Sequence, residues 1–386
     1  MNTIAADLKN EVISHDAGLA DVVACTSKIC FIDGKNGKLL YRGYNVVDLA
    51  EYSTFEEVAY LLWFGRLPGL IEFQAFLDGF TGSMVLPVET VMILRMFPNA
   101  AKPMEVLRTA VSSLGHWDPD SGNIRLDACL RKAQRITERI PMIIAAHQRL
   151  RGGEEPIAPY PDCGIAFNFL YSLSGKEPDP EVVRAMDISL ILHADHELNA
   201  STFAARVTAA TRADIYSAMT SAIGTLKGPL HGGANEEVIT MLEEIGSPEN
   251  ARDWVLMKLS AKKKIPGFGH RVYRCEDPRA RVLRMYAEKI GQKFQSLRML
   301  DIAREVEHVM LENTTVFPNV DFYSAVLYHS IGIPRELYTP LFAISRAVGW
   351  TAHILEQWKN NRLIRPSAEY IGPEALQYTD MGSRTP

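Results

Sequence analysis

Four stretches of this sequence put histidine, arginine or aspartate beside glycine turns or helix starts, where an anion can be bound and a proton moved. The densest spans residues 264–281. Gly267 and Gly269 let the backbone approach a ligand closely. Asp277 and Pro278 read as N-cap and first residue of a helix, so Arg279 falls where the helix dipole already favours negative charge. A carboxylate or phosphate is the guest such a segment suits, with His270 as a proton-handling group inside it. The run Lys262, Lys263 and Lys264, together with Arg274, suits the phosphates of a nucleotide-like cofactor, or else forms a solvated helix end. It is not a dinucleotide fingerprint, because Val272 stands at the third glycine position and no strand precedes it.

The other three stretches are shorter. His193-Ala-Asp-His196-Glu197 lies in a helix expected from about 181 through 206, and its histidines at i and i+3 share a face. That is a polar cluster on a half-buried helix or a metal site, but the order is neither H-E-x-x-H nor its inverse, and no second histidine pair has suitable spacing. His231, in Gly228-Pro-Leu-His231-Gly-Gly-Ala-Asn235, precedes a helix expected at 235–245. A helix N-terminus disfavours imidazolium, so His231 either caps the turn or stays neutral and donates to developing negative charge. Asp321, ahead of an apolar helix, is expected as its N-cap, where the dipole lowers its pKa and weakens it as a base unless the site is dry. In the same C-terminal third, Arg346 has only Ser345 as a polar close neighbour. It is therefore expected to be buried and to need an anion, an internal carboxylate or a bound substrate. Arg365 follows that helix and reads as a surface residue from its surroundings alone.

What must position these groups is mostly helix. Apolar residues recur near every 3.6 positions, as in Val58, Leu61 and Leu62, or Met186 and Leu190, or Val282, Leu283, Tyr286 and Ile290. The exception is residues 29–44, two short apolar runs around Asn36-Gly37, which predict a β-hairpin. Glycine and proline punctuate the helices at short intervals and no repeat of 20 to 50 residues occurs, which disfavours a solenoid. With 386 residues and 47% hydrophobic content, the chain exceeds one ordinary core, and two domains are expected. The clustered features set the smaller one at 226–331, with 1–225 and 332–386 forming the larger.

Composition narrows the class further. A net charge of −5 argues against nucleic-acid binding. Five cysteines without a C-x-x-C pair suggest neither a disulfide framework nor a zinc finger, which fits a reducing cytosol. Asp7, Glu11 and Asp16 leave no apolar leader near the N-terminus, and no run of residues is long and apolar enough for a membrane span. A cytoplasmic location is expected. Asn199-Ala-Ser201 matches the glycosylation sequon, which in such a chain is coincidence.

Taken together and in order, His-Ala-Asp-His-Glu, Gly-Pro-Leu-His-Gly-Gly-Ala-Asn, Gly-Phe-Gly-His-Arg-Val-Tyr with Asp-Pro-Arg, Val-Asp-Phe-Tyr-Ser and Ser-Arg-Ala-Val-Gly-Trp resemble the citrate synthase family, over about residues 20–378. The resemblance implies an all-α fold, a large helical domain with a smaller helical domain closing over the site, and one short hairpin near the N-terminus. It implies condensation of acetyl-CoA with oxaloacetate and water to citrate and CoA, feeding the tricarboxylic acid cycle, in a compact homodimer. By motif position, Asp321 would remove a methyl proton while His231 hydrogen-bonds the thioester carbonyl, and His270 would polarise the ketone of oxaloacetate. His193, His196, Arg279, Arg346 and Arg365 would hold oxaloacetate, Arg365 reaching over from the other subunit. Lys264, Ile265, Gly267, Phe268, Gly269 and Arg274 resemble the CoA-binding segment. Acetyl-CoA is then a co-substrate, and no metal or permanent cofactor is called for. The near alternative is 2-methylcitrate synthase, which uses propionyl-CoA; one methylene is worth only about 1–3 kcal/mol of discrimination. Remoter ones are a metal-dependent hydrolase on His193, His196 and Glu197, and a non-catalytic helical protein that kept only the fold.

Overall fold

A computed structural model describes residue 19, residues 22–81 and residues 83–384; the acidic N-terminal positions Asp7, Glu11 and Asp16 lie outside these. The expected hairpin forms from β1 (Cys30–Asp33) and β2 (Lys38–Tyr41), antiparallel, with Asp33 opposite Lys38. Its turn is set by Asp33 Oδ1, which accepts from the amides of Lys35 and Asn36, and by Gly37 at φ 61°, a conformation glycine adopts without strain. A third strand that the pattern did not announce, β3 (Tyr44–Asn45), pairs back onto β2.

Among the described residues the remaining regular structure is helical, apart from one isolated bridge between Phe268 and Pro318. The N-terminal series is α1 (Val46–Tyr52), α2 (Phe55–Phe64), α3 (Leu70–Thr81), α4 (Val88–Met96), α5 (Pro103–Leu114) and α6 (Leu126–Arg151). It continues with α7 (Ile165–Ser174), α8 (Pro180–His193), α9 (Ala200–Ala210), α10 (Ile215–Leu226), α11 (Ala234–Ile245) and α12 (Pro248–Ser260). The last four are α13 (Pro278–Lys293), α14 (Arg298–Asn313), α15 (Val320–Ile331) and α16 (Tyr338–Lys359). Side chains start several of them: Thr54, Asp179, Asn199, Asp214, Asp277 and Asn319 each accept a hydrogen bond from an amide of the first turn. Gly65, Gly175 and Gly332 end α2, α7 and α15 in the left-handed region. The fold is all-α with one small sheet.

Two local expectations are corrected. The helix expected across 181–206 is two helices, because the chain leaves α8 at His193, passes Glu197 at φ 54°, and restarts under the Asn199 cap. Asp321 is not the N-cap of α15; Asn319 is, its Oδ1 accepting from the Asp321 amide at 3.0 Å. Asp321 therefore sits inside the first turn with its carboxylate free for other work.

The core is one continuous cluster of buried apolar side chains. At its centre runs α16, buried almost from end to end and packed on α2, α6, α8, α9 and α10. Its polar groups are matched: Thr351 Oγ1 accepts from Trp63 Nε1 at 2.9 Å, and Ser345 Oγ bonds to the Leu190 carbonyl. The helices α11–α15 pack chiefly on one another, α13 and α11 on α15 and α12 on α14, and meet the rest through α1, α8 and α16.

Candidate active site

At the end of α8, His193 is fully buried, and its Nδ1 lies 2.7 Å from the Ser189 carbonyl. A carbonyl only accepts, so Nδ1 carries the proton, and Nε2 is left a buried acceptor with no partner among the described residues. The His193 carbonyl accepts from Arg346 Nε at 2.8 Å. Phe342, one turn before Arg346 on α16, lies under both the His193 ring, at 5.0 Å, and the guanidinium, at 4.7 Å. Arg346 is 1% exposed and makes no hydrogen bond to a carboxylate among the described residues. Burial pulls its pKa down while the buried Asp195 carboxylate opposes this at longer range. Its fork is unsatisfied, which is the state of a guanidinium awaiting an anion.

The break between α8 and α9 brings His196 to face the loop before α13. The His196 and His270 rings lie 5.1 Å apart, with Tyr273 within 5.7 Å of His196 and 4.7 Å of His270. Two backbone amides, of Val272 at 3.0 Å and Tyr273 at 3.1 Å, donate to His270 Nδ1. That pattern puts the ring proton on Nε2 and makes His270 a neutral donor. Burial first, then Arg279, pushes its pKa down to about 4. His196 is held well below the ordinary range for the same two reasons, and its Nε2 has no partner among the described residues.

Arg279 is 2% exposed in the first turn of α13. Burial would lower its pKa, but the Asp277 carboxylate grips it through Nε at 3.0 Å and Nη2 at 2.7 Å and keeps it charged. The cap of the helix is thus also the rigid mount of the arginine.

His231 closes the far side. Its Nε2 lies 2.8 Å from Ser201 Oγ and accepts from the Ser201 amide at 3.3 Å, which assigns the proton to Nδ1. Ser201 is itself held by Trp350 Nε1 at 3.1 Å and by Asn199 Oδ1 at 2.8 Å. Burial, with Arg346 adding to it, lowers His231 to about 4. Asp321 goes the other way: burial raises its pKa to about 6, against the pull of Arg279 and Arg346. The helix dipole expected to dominate at this position loses to desolvation.

His193, His196, His231, His270, Arg279, Arg346 and Asp321 therefore form one electrostatic neighbourhood, in which Arg279 or Arg346 acts on the titration of every histidine and of Asp321. Gly267, at φ 78°, cannot be anything larger, since a Cβ there would stand 2.7 Å from Phe322 Cδ2 and Val238 Cγ2. Phe268 stacks edge-on against Phe322 at 4.7 Å, Ile265 is buried, and Gly269 takes φ 82°. Beside them a cleft of ≈ 560 Å³ is lined in part by Pro229, Lys258, Lys263, Lys264 and Pro266. Lys264 and Arg274 are exposed, and Arg365 lies in the exposed tail after α16, apart from the cluster.

Sequence reasoning missed Ser201, Asn319 and the Tyr273 ring. No signal marked Ser201, because its cap residue Asn199 falls inside what reads as one continuous helix. Among the described residues no group of three histidine, cysteine or acidic side chains could hold a metal ion, and no helix is long and apolar enough to cross a membrane.

Residues 18–367 match the family described as "Citrate synthase, C-terminal domain". A relative from Bacillus subtilis named "Citrate synthase 2" is 47% identical over 368 residues, 95% of this chain and 98% of its own. A "2-methylcitrate synthase" from Mycobacterium tuberculosis is 44% identical, covering 92% of this chain and 90% of its own. The solved citrate synthase from Thermoplasma acidophilum, a ternary complex with carboxymethyl coenzyme A and oxaloacetate, superposes with a TM-score of 0.90 at 33% identity, over 95% of this chain and 99% of that one. By its family match, its relatives and its fold, the chain belongs to the citrate synthase family and is an enzyme of that acyltransferase type.

Proposed function

We propose that this enzyme condenses acetyl-CoA with oxaloacetate and water to give citrate and free CoA. The observation that carries the reading is the pairing of one carboxylate raised to about 6 with two imidazoles lowered to about 4, among buried arginines. At neutral pH Asp321 is ionised yet basic enough to take a proton, and His231 and His270 are neutral donors.

Asp321 takes a proton from the thioester methyl group. The C–H electron pair becomes the carbon–carbon double bond of an enol, and His231 Nδ1–H stabilises the charge gathering on the thioester oxygen. The enol carbon then bonds to the ketone carbon of oxaloacetate, whose oxygen, held by His270 Nε2–H, takes up the electrons. Water cleaves the resulting citryl thioester and releases the CoA thiol. Arg279 and Arg346 fork onto the oxaloacetate carboxylates, the His193 and His196 Nε2 atoms line the same cavity, and Arg365 joins from the partner subunit. The cleft beside Lys263 and Lys264 suits the CoA phosphates, with residues 265–269 and Arg274 alongside.

A well-placed oxyanion donor is worth about 3–4 kcal/mol, and fixing two reactants in attack geometry roughly 7–11 kcal/mol. Orientation is the larger share, so closure of residues 226–331 over the site is part of the reading, supported by the way α11–α15 pack on one another. A homodimer is supported by the apolar tail beyond α16, where Ile371 is 93% and Tyr378 86% exposed in the single chain. A cytoplasmic location fits both substrates.

The 2-methylcitrate reading is favoured by the likeness to the Mycobacterium tuberculosis enzyme. Thiol release from acetyl-CoA and propionyl-CoA, each with oxaloacetate, separates the two. The expected result is a higher kcat/KM with acetyl-CoA; a strong propionyl preference replaces the product, and no release from either sinks the condensation itself.

A further inference from the structure

The N-terminal sheet touches both histidine-bearing segments of the pocket. At the hairpin tip, the Gly34 carbonyl accepts from the Arg274 amide at 2.8 Å and from Cys275 Sγ at 3.7 Å. The contact is so close that a Cβ at Gly34 would lie 2.2 Å from the Val272 carbonyl oxygen. That carbonyl belongs to the peptide unit joining Val272 to Tyr273, whose N–H donates to His270 Nδ1. One rigid plane therefore meets the hairpin on one edge and sets the proton position of His270 with the other. Seven residues further on, the fully buried Tyr41 hydroxyl donates to the Asp195 carbonyl at 2.9 Å and accepts from the Asp195 amide at 3.2 Å, with the Leu192 carbonyl at 3.4 Å. These bonds bracket His193 and end at the residue directly before His196.

We infer that β1 and β2 act as a brace, with Gly34 and Tyr41 as positioning residues that fix His270 relative to His196. The residues around the hairpin turn support it. Asp33 pins the turn through the Lys35 and Asn36 amides, and Gly37, at φ 61°, leaves room for Cys275 Sγ and the Glu276 carbonyl, 3.1 and 3.2 Å from where its Cβ would be. Neither Gly34 nor Tyr41 is asked to touch substrate. The inference rests on the condensation reading for its kinetic consequence, but not for its geometric one.

Gly34→Ala pushes the 272–273 peptide away from the hairpin, so kcat falls about 10- to 100-fold with a smaller change in the oxaloacetate KM. Histidine-selective ¹⁵N spectra of the substrate-free variant show His270 losing its pure Nε2–H form. Tyr41→Phe raises the oxaloacetate KM with less effect on kcat, and carries the test if Gly34→Ala does not fold. Phe31→Ser, on the exposed face of β1, leaves both constants and the spectra as in the wild type. The brace is overturned if Gly34→Ala keeps the wild-type kcat and His270 spectrum, or if Phe31→Ser loses as much. A wild-type enzyme that releases no thiol sinks the condensation reading instead, and the ¹⁵N comparison still decides the brace.

Discussion

Desolvation decides the chemistry of single residues in this pocket. For Asp321 it outweighs two cationic guanidinium groups and leaves the pKa at about 6; for His231 and His270 it works with the nearby arginines and leaves both at about 4. The sign of the pH dependence follows. The base must be deprotonated, so kcat/KM for acetyl-CoA rises with pH up to about 6 and is flat above about 7. No falling limb occurs between 6 and 8, because the imidazoles are already neutral there; a bell centred near 6 would mean that an imidazolium is the donor. Asp321→Asn keeps the shape and removes the base. Turnover drops by roughly 10²–10⁴-fold while oxaloacetate binding, measured by calorimetry, stays as in the wild type. The residue types at this scale were readable: each of the seven side chains stood out by its neighbours in the sequence. The mounts were not, because Ser201 beneath His231 and the bidentate grip of Asp277 on Arg279 join residues whose contact only the fold creates.

At the scale of elements, caps and breaks do the positioning. Asn319 caps α15, donates to the Gly269 carbonyl through Nδ2 at 2.9 Å and through its own amide to the Gly267 carbonyl at 2.8 Å, and so ties the helix of Asp321 to the loop of His270. Asn319→Ala costs about 1–2 kcal/mol in a denaturant titration and lowers kcat as well, since it loosens base and electrophile together. The uninterrupted helix expected over 181–206 had no proline or glycine to warn against it. What stops it is tertiary: the buried Asp195, within reach of His353 Nε2 at 3.3 Å, and the left-handed turn at Glu197. The long helix α6 carries a different strain. Glu138 is fully buried with both carboxylate oxygens unpaired among the described residues, and burial pushes its pKa up to about 9. Its folded pKa lies above its ordinary value, so the stability tied to its protonated form is complete in acid and is lost as pH rises through about 9. Glu138→Gln shrinks the fall in Tm between pH 5 and pH 8, seen by calorimetry.

For the whole molecule, the proposed dimer makes a sharp prediction about Arg365. Arg346→Leu and Arg365→Ala proteins are each nearly inactive. A mixed dimer regains one complete site, made of Arg346 from one chain and Arg365 from the other. Co-refolding the two and assaying thiol release gives activity well above either parent; no gain places Arg365 in the same site as its own Arg346. Helix content, the hairpin and the order of the motifs were legible at this scale because periodicity and turn chemistry are local. The grouping of helices was less so, because one continuous core joins them all.

The placement of α16 also has a bearing on how the protein is made. Its 22 residues, ending at Lys359, fill the centre of the molecule, yet a ribosome reaches them only after every helix that surrounds them. Until then the apolar faces that α2, α6, α8, α9 and α10 turn to it have no partner, which favours aggregation of the nascent chain. Transcripts cut short before that helix yield aggregates or chaperone-bound species rather than a smaller working enzyme.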